Sequence, residues 1–380
     1  MNNDIINFIR ELYHSNDFIQ LHRPIFSEID KSFVLDAINS SYVSSVGKYV
    51  DEFEERMSTY IGSKHAIAVV NGTSALHIAL HLAGVKKNDL VITQALSFVA
   101  TANAIKYLDA YPVFLDINKS THGLCHLELE QYLKDNARIS KNGTFHKLTG
   151  QRISACVPMH TFGFPTKIDK IIDICNNYGI HVVEDAAESL GSEYFGKKTG
   201  SFGLLGIFSF NGNKTITCGG GGLIVTDDSK LAAEAKHITT QAKVPHKWDY
   251  VHDKIGYNYR LPNLNAALAC AQLNQLEEIL ENKRETAYRY SNFFKSIGVT
   301  FLSELENTKS NYWLNSIVFN DEASRNKFLK ESNESGVMTR PSWRLLNKLK
   351  MFSDCLKGSL INSNLLETRL VNIPSGYRYK

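Results

Sequence analysis

Three stretches of this 380-residue sequence carry side chains that could do chemistry together. In Gly206-Ile207-Phe208-Ser209-Phe210-Asn211-Gly212-Asn213-Lys214-Thr215-Ile216, followed by glycines 219 to 222, Lys214 lies between two strand-like runs and beside a glycine loop. Such a loop lets backbone approach a ligand closely and leaves room for a lysine that moves between covalent partners. Burial or a cationic neighbour lowers a lysine's pKa enough to supply a neutral amine. In Val182-Val183-Glu184-Asp185-Ala186-Ala187-Glu188 an apolar strand ends in carboxylates. An Asp at that point suits a metal ligand, a general base or a partner for a protonated ring nitrogen, and it also suits a helix cap. In Val69-Val70-Asn71-Gly72-Thr73-Ser74-Ala75 a strand ends in a Gly turn and a helix opens with two hydroxyl residues. Free amides and the positive end of the helix dipole make that a phosphate site, with an ordinary cap by Thr73 or Ser74 as the alternative.

Other candidates are weaker. His160, in Met159-His160-Thr161-Phe162-Gly163, ends a strand at the expected ligand edge and is a candidate for substrate contact. His77 and His81 have the spacing of a zinc pair but lack the glutamate of H-E-x-x-H, so they read as helix-face histidines, and no metal centre is expected. A P-loop is excluded because Asn213 separates Gly212 from Lys214. A dinucleotide fingerprint is excluded because Gly200, Gly203 and Gly206 are spaced by three.

These residues need a scaffold, and the surrounding pattern supplies one. Short apolar runs alternate with helical patterns from about residue 66 to 226, which predicts a mostly parallel sheet flanked by helices. The expected strands are Ala66 to Val70, Leu90 to Thr93, Pro112 to Asp116, Ile153 to Met159, His181 to Glu184, Gly206 to Phe210 and Gly222 to Thr226. Helices are expected over Ser74 to Ala83 and Ile168 to Tyr178. The fold class is α/β, in which ligands sit beyond the carboxyl ends of the strands. Pro262 to about Tyr290 reads as one long helix with Leu264, Leu268, Leu273, Leu276 and Leu280 along one side. A smaller α+β domain is expected to begin there, dividing the chain into residues 1–261 and 262–380.

Composition narrows the function. Forty-two Lys and Arg against 39 Asp and Glu leave a net charge of +3, without the basic excess of a nucleic-acid-binding protein. The first residues lack a signal peptide's apolar core and no run of about 18 apolar residues follows, so a cytoplasmic protein without a membrane partner is expected. Six scattered cysteines with no C-x-x-C pair read as reduced thiols.

Taken in order, the phosphate turn, the strand-end Asp and the glycine-flanked Lys resemble a pyridoxal-phosphate enzyme of the aspartate-aminotransferase fold (fold type I). More narrowly, the chain resembles the DegT/StrS family of nucleotide-sugar aminotransferases over nearly its whole length. The motifs are Asn71-Gly72-Thr73-Ser74-Ala75, Ser97-Phe98-Val99-Ala100-Thr101, Glu184-Asp185-Ala186-Ala187, Phe208-Ser209-Phe210 with Lys214, and Gly256-Tyr257-Asn258-Tyr259-Arg260-Leu261. Tyr42-Val43-Ser44-Ser45-Val46-Gly47-Lys48 and Thr339-Arg340-Pro341-Ser342-Trp343 look most like the branch that aminates UDP-linked 4-keto-6-deoxy-N-acetylhexosamines, on routes to bacillosamine or legionaminic-acid-type sugars.

The resemblance implies roles. Lys214 would hold pyridoxal 5'-phosphate as an internal aldimine and later carry the proton, and Asp185 would pair with the pyridine nitrogen. Phe98 would stack on the ring, while Gly72, Thr73, Ser74 and Ser209 would hold the phosphate. Asn258 would reach it from the second subunit of a homodimer. Ser45, His160 and Arg340 are the candidates for substrate contact, and Arg340 or Arg260 could clamp a carboxylate or phosphate. Glu188 departs from the Gln or His commoner at its position near the cofactor's phenolic oxygen. A carboxylate there either has a raised pKa or turns elsewhere. The implied reaction is a ping-pong transfer of an amino group from L-glutamate to a nucleotide-linked 4-keto sugar, UDP-2-acetamido-2,6-dideoxy-4-hexulose. A cofactor-dependent sugar dehydratase on the same fold and a non-catalytic sensor are the alternatives. Dehydratases of the family carry His in place of the lysine, so Lys214 counts against the first.

Overall fold

The structure is a computed structural model that describes residues 1–379. Seven strands, β1 (His65–Val69), β2 (Leu90–Gln94), β3 (Tyr111–Leu115), β4 (Ile153–Val157), β5 (His181–Asp185), β6 (Leu205–Ser209) and β7 (Gly222–Thr226), form one sheet in the order β1-β7-β6-β5-β4-β2-β3. Only β7 runs against its neighbours, β1 and β6; the other pairings are parallel. The expected strand ends hold to within a residue or two. The run from Ile153 stops at Val157 and not at Met159, because Pro158 has no N–H for the ladder.

Both faces of the sheet are buried, which is why these strands read as continuous apolar runs. Ile207 and Ile224 face the helix Gly72–Leu82, packing with Ile78, Ala79 and Leu80. Phe208, Leu223 and Val225 face the other way, onto Phe53 and Met57 of the helix Lys48–Ile61 and Ala266 and Cys270 of the helix Asn263–Leu273. Each such side chain contributes about 1.5–3 kcal/mol by leaving water.

One glycine of β7 matters for the site. Gly222 opposes Val69 at the end of β1, and a Cβ there would run into the carbonyl oxygen of Asn71, where the next helix starts. Gly222→Ala is expected to lower stability by about 1–3 kcal/mol through overpacking. A urea titration showing an unchanged midpoint would contradict this.

The single long helix expected from Pro262 is two helices, Asn263–Leu273 and Leu276–Ser296, broken at Asn274-Gln275. Tertiary hydrogen bonds capture the break: Arg56 donates to the Cys270 carbonyl and to Asn274 Oδ1, while Gln272 and Gln275 donate to the buried Asp30 carboxylate. Periodicity reports which face is apolar but not which distant groups claim a backbone carbonyl. The expected boundary at residue 262 falls within continuous packing, since the helix Asn263–Leu273 lies on the helices Glu28–Asn39 and Lys48–Ile61.

A second sheet joins Thr300–Phe301, Asn315–Val318, Leu370–Ile373 and Arg340–Pro341 in that order. Its core includes Ile317, Val371, Tyr290 and Phe294, closed by Ile5, Ile6 and Ile9 from the helix Asn2–Tyr13. The two ends of the chain therefore pack together. Among the described residues all six cysteines are unpaired, and no helix is long and apolar enough to cross a membrane.

Candidate active site

A cavity of about 350 Å³ opens at the carboxyl ends of β1, β4, β5 and β6. Its floor is the start of the helix Gly72–Leu82. Asn71 caps this helix by accepting the Ser74 N–H at 2.8 Å and the Ala75 N–H on its carbonyl, which leaves the amides of Gly72 and Thr73 at the cavity. A Cβ on Gly72 would lie 2.8 Å from the Ser209 Cβ, so glycine is what lets the helix start sit against the end of β6. Two unpaired amides, the helix dipole and the hydroxyls of Thr73 and Ser209 converge there on an anion-sized position. Ser74, expected to share this role, is buried beneath the floor and does not line the cavity. Its N–H is already claimed by the cap.

Asp185 ends β5 and is 2% exposed. Strand alternation sends it and its neighbour Glu184 to opposite faces. Asp185 Oδ2 accepts from Thr101 Oγ1 at 2.8 Å and Oδ1 accepts from the Ala187 N–H at 3.2 Å. Burial raises the Asp185 pKa against the pull of these donors, so a cationic group bound beside it would be favoured by the neutralisation it brings. Glu184 instead fastens the loop before β6. It accepts the N–H groups of Gly200, Phe202 and Gly203, and His160 Nε2 lies 3.0 Å away. Burial alone would raise the Glu184 pKa, but His160 and the backbone donors outweigh it and hold the group below its ordinary value.

This disposes of His160 as a substrate contact. Its ring is fully buried, Nε2 faces Glu184, and Nδ1 accepts the Thr166 N–H at 3.1 Å. The strand end that put it at the ligand edge is real, but the side chain turns into the protein and holds the layer behind Asp185.

Lys214 comes from the loop between β6 and β7. Its Nζ lies 4.2 Å from the centroid of the Trp313 ring and 3.5 Å from Glu188 Oε1. Trp313 Nε1 donates to the Asn213 carbonyl at 2.7 Å, tying the cavity wall to the loop that carries the lysine. Glu188, 2% exposed, faces the cavity, and its Oε2 accepts the Phe162 N–H at 2.9 Å. Burial pushes its pKa up to about 7 against the attraction of Lys214. Of the two alternatives, a raised pKa or a side chain turned elsewhere, the geometry has the first, with the carboxyl lining the cavity. Phe98, half exposed, lines the opposite wall with Trp343, their ring centroids 6.3 Å apart.

The remaining candidates lie outside this cavity. Asn258 is exposed, with its Oδ1 accepting from Arg260. Ser45 sits in the segment before the helix Lys48–Ile61 and lines neither this cavity nor the adjoining one. Arg340 lines a neighbouring cavity of about 640 Å³ that shares Asn213, Trp313 and Trp343 with the first. Sequence reading missed Asn71 as the cap, Thr101 as the donor to Asp185, and Trp313 and Met159 as walls. Thr101 and Asn71 stood within singled-out motifs, but Trp313 lies about 100 residues beyond the lysine it covers and carries no local signal.

The donor set fits pyridoxal phosphate: an anion seat at a helix start, a buried carboxylate, an amine and an exposed aromatic face line the same cavity. A profile of the DegT/DnrJ/EryC1/StrS aminotransferase family matches residues 25–379. The chain is 38% identical over 339 residues to EpsN of Bacillus subtilis, covering 89% of this chain and 84% of that one. It is 32% identical over 358 residues to the GDP-perosamine synthase of Escherichia coli O157:H7, covering 94% and 93%. Helicobacter pylori PseC, an aminotransferase of pseudoaminic acid biosynthesis, superposes with a TM-score of 0.85 at 25% identity, covering 94% of each chain. The chain therefore belongs to the DegT/DnrJ/EryC1/StrS aminotransferase family, with the aspartate-aminotransferase fold and pyridoxal phosphate as its cofactor.

Proposed function

We propose that the protein moves an amino group from L-glutamate to a nucleotide-linked 4-keto-6-deoxy sugar in two half-reactions, with the UDP-linked 2-acetamido-2,6-dideoxy-4-hexulose as the leading acceptor. The observation that carries the reading is that Lys214, Asp185 and the anion seat at Gly72-Thr73 all line one cavity. When bound, the cofactor supplies an aldehyde that captures amines and a protonated ring that takes up the electrons freed at the neighbouring carbon. The chain's residues do the rest. The amides and hydroxyls at Gly72, Thr73 and Ser209 fix the phosphate end, and Asp185, oriented by Thr101, keeps a proton on the ring nitrogen. Phe98, half exposed in the cavity wall, would cover the ring face. Lys214 takes a proton at Nζ and returns it to the carbon that gains or loses the amine.

The sugar acceptor is supported by the named activities of the perosamine synthase and PseC relatives, and the linked nucleotide by the first of these. Arg340 faces the adjoining cavity beside Trp343, where a guanidinium could pair with a phosphate while the indole covers an apolar part of the substrate. Ser45 and Asn258, which do not line their own chain's cavity, are assigned to a homodimer in which Asn258 reaches the partner subunit's phosphate seat. The cytoplasm, where nucleotide sugars are made, is the proposed location.

The experiment is to incubate the loaded protein with L-glutamate, remove the glutamate, and then add the keto sugar, following products by mass spectrometry. The expected results are 2-oxoglutarate in the first step and an amino sugar in the second, about one equivalent of each per site. An amino sugar formed only when both substrates are present together would refute the two-step order. Loss of water from the sugar without amine gain would favour the dehydratase.

A further inference from the structure

Lys214 has one carboxylate within salt-bridge distance among the described residues, and it belongs to Glu188. Asp185 is nearby, but its two oxygens are engaged by Thr101 and the Ala187 N–H. The Trp313 ring face, also close to Nζ, attracts a cation but takes no proton, and His22 and Lys283 share a small adjoining cavity with Lys214.

Resting on the reading of Lys214 as the reacting amine, we propose that Glu188 is its charge and proton partner: the carboxylate holds the lysine as an ammonium at the cavity and accepts one proton when the amine has to react. The step breaks one N–H bond at Nζ and forms one O–H bond at Oε1, leaving the electron pair on nitrogen, and nothing is oxidised or reduced. The surroundings fit a shared proton. From the strand-end turn of Glu188 itself, Asp185 contributes like charge, while the loop after β6 contributes Lys214. The turn Thr161–Gly163 offers only the Phe162 N–H, and the segment Asn311–Trp313 only the uncharged amide and indole, with Asn311 donating to the Glu188 backbone carbonyl. Behind Asp185, His160 is engaged with Glu184. Burial makes the Glu188 carboxylate a better proton acceptor than an exposed one, and the Phe162 N–H keeps its other oxygen in place. The carboxylate thus supplies a group that is negative beside the ammonium when ionised and neutral once it has taken the proton.

The test compares the wild type with Glu188→Gln and Glu188→Asp as full chains before cofactor is added. An amine-reactive reagent labels Lys214 as a function of pH, with the site read by peptide mass spectrometry. Removing an anion 3.5 Å from an ammonium favours the neutral amine. Glu188→Gln should therefore lower the Lys214 midpoint by about one unit, seen as about tenfold faster labelling below the midpoint. Glu188→Asp, which keeps the charge on a shorter arm, should fall between. A Lys214 midpoint unmoved in a folded Gln variant overturns the proposal, because a merely structural carboxylate would leave it unmoved. Should the Gln variant not fold, Glu188→Met, which also removes the charge at similar volume, is read in the same way. The readout needs no sugar, so failure of the proposed transfer and failure of this pairing are separate results.

Discussion

Lys214→Ala is expected to lower amino transfer by at least about 10³-fold, because positioned proton transfer alone is worth about 10² to 10⁴. No neighbour can replace it. The groups that touch its amine in the main cavity are the Glu188 carboxylate and the Trp313 ring, and neither is an amine. Lys283, which shares a small adjoining cavity with Lys214, is buried, with its Nζ donating to the Trp313 and Ser375 carbonyls. The substitution leaves the loop intact, since the Trp313 Nε1 bond goes to the Asn213 carbonyl and survives. The measurement pairs turnover with the visible spectrum of the loaded protein. A lysine-dependent band that disappears, together with retained cofactor by mass, is the expected pattern. Turnover within tenfold of wild type would remove Lys214 from the mechanism.

The second large effect is expected at Asp185. At about 4 Å and an effective dielectric of 20, a carboxylate and a ring cation attract by about 4 kcal/mol, equivalent to roughly three orders of magnitude. Asp185→Asn keeps the volume, and its amide oxygen still accepts from Thr101, so the fold should stand while the charge is lost. Turnover should fall about 10³-fold while Lys214 still captures the cofactor. That split separates the two residues: the lysine variant loses the band, whereas the aspartate variant keeps a band and loses the rate. A loss of less than about tenfold in Asp185→Asn would mean that the ring nitrogen is not held protonated from this position.

The seven strands and the residues at their carboxyl ends were legible because a doubly covered parallel sheet needs continuous apolar runs, and polar residues that interrupt a run mark its end. Gly72, Thr73, Asp185, Glu188, Ser209 and Lys214 all follow from that rule, since each lies at or just after a strand end on one edge of one sheet. The same rule misplaced Ser74 and His160. A strand end fixes where a backbone emerges, but the direction of the side chain depends on which partners lie beside it. Asn71 and Glu184 are those partners, and Glu184 and His160 are 24 residues apart in the chain.

By itself, then, the amino-acid sequence determined the alternating architecture, the edge at which chemistry occurs and the set of groups available there, because these are encoded within a few residues of one another. Only the tertiary structure decided what each group touches. Trp313 covering Lys214, Thr101 holding Asp185, Arg56 and Asp30 breaking a helix that periodicity would have continued, and the first helix closing the core of the last sheet all join residues tens to hundreds of positions apart. Such contacts are set by the shape and polarity of whole packed layers, which no local run of residues specifies.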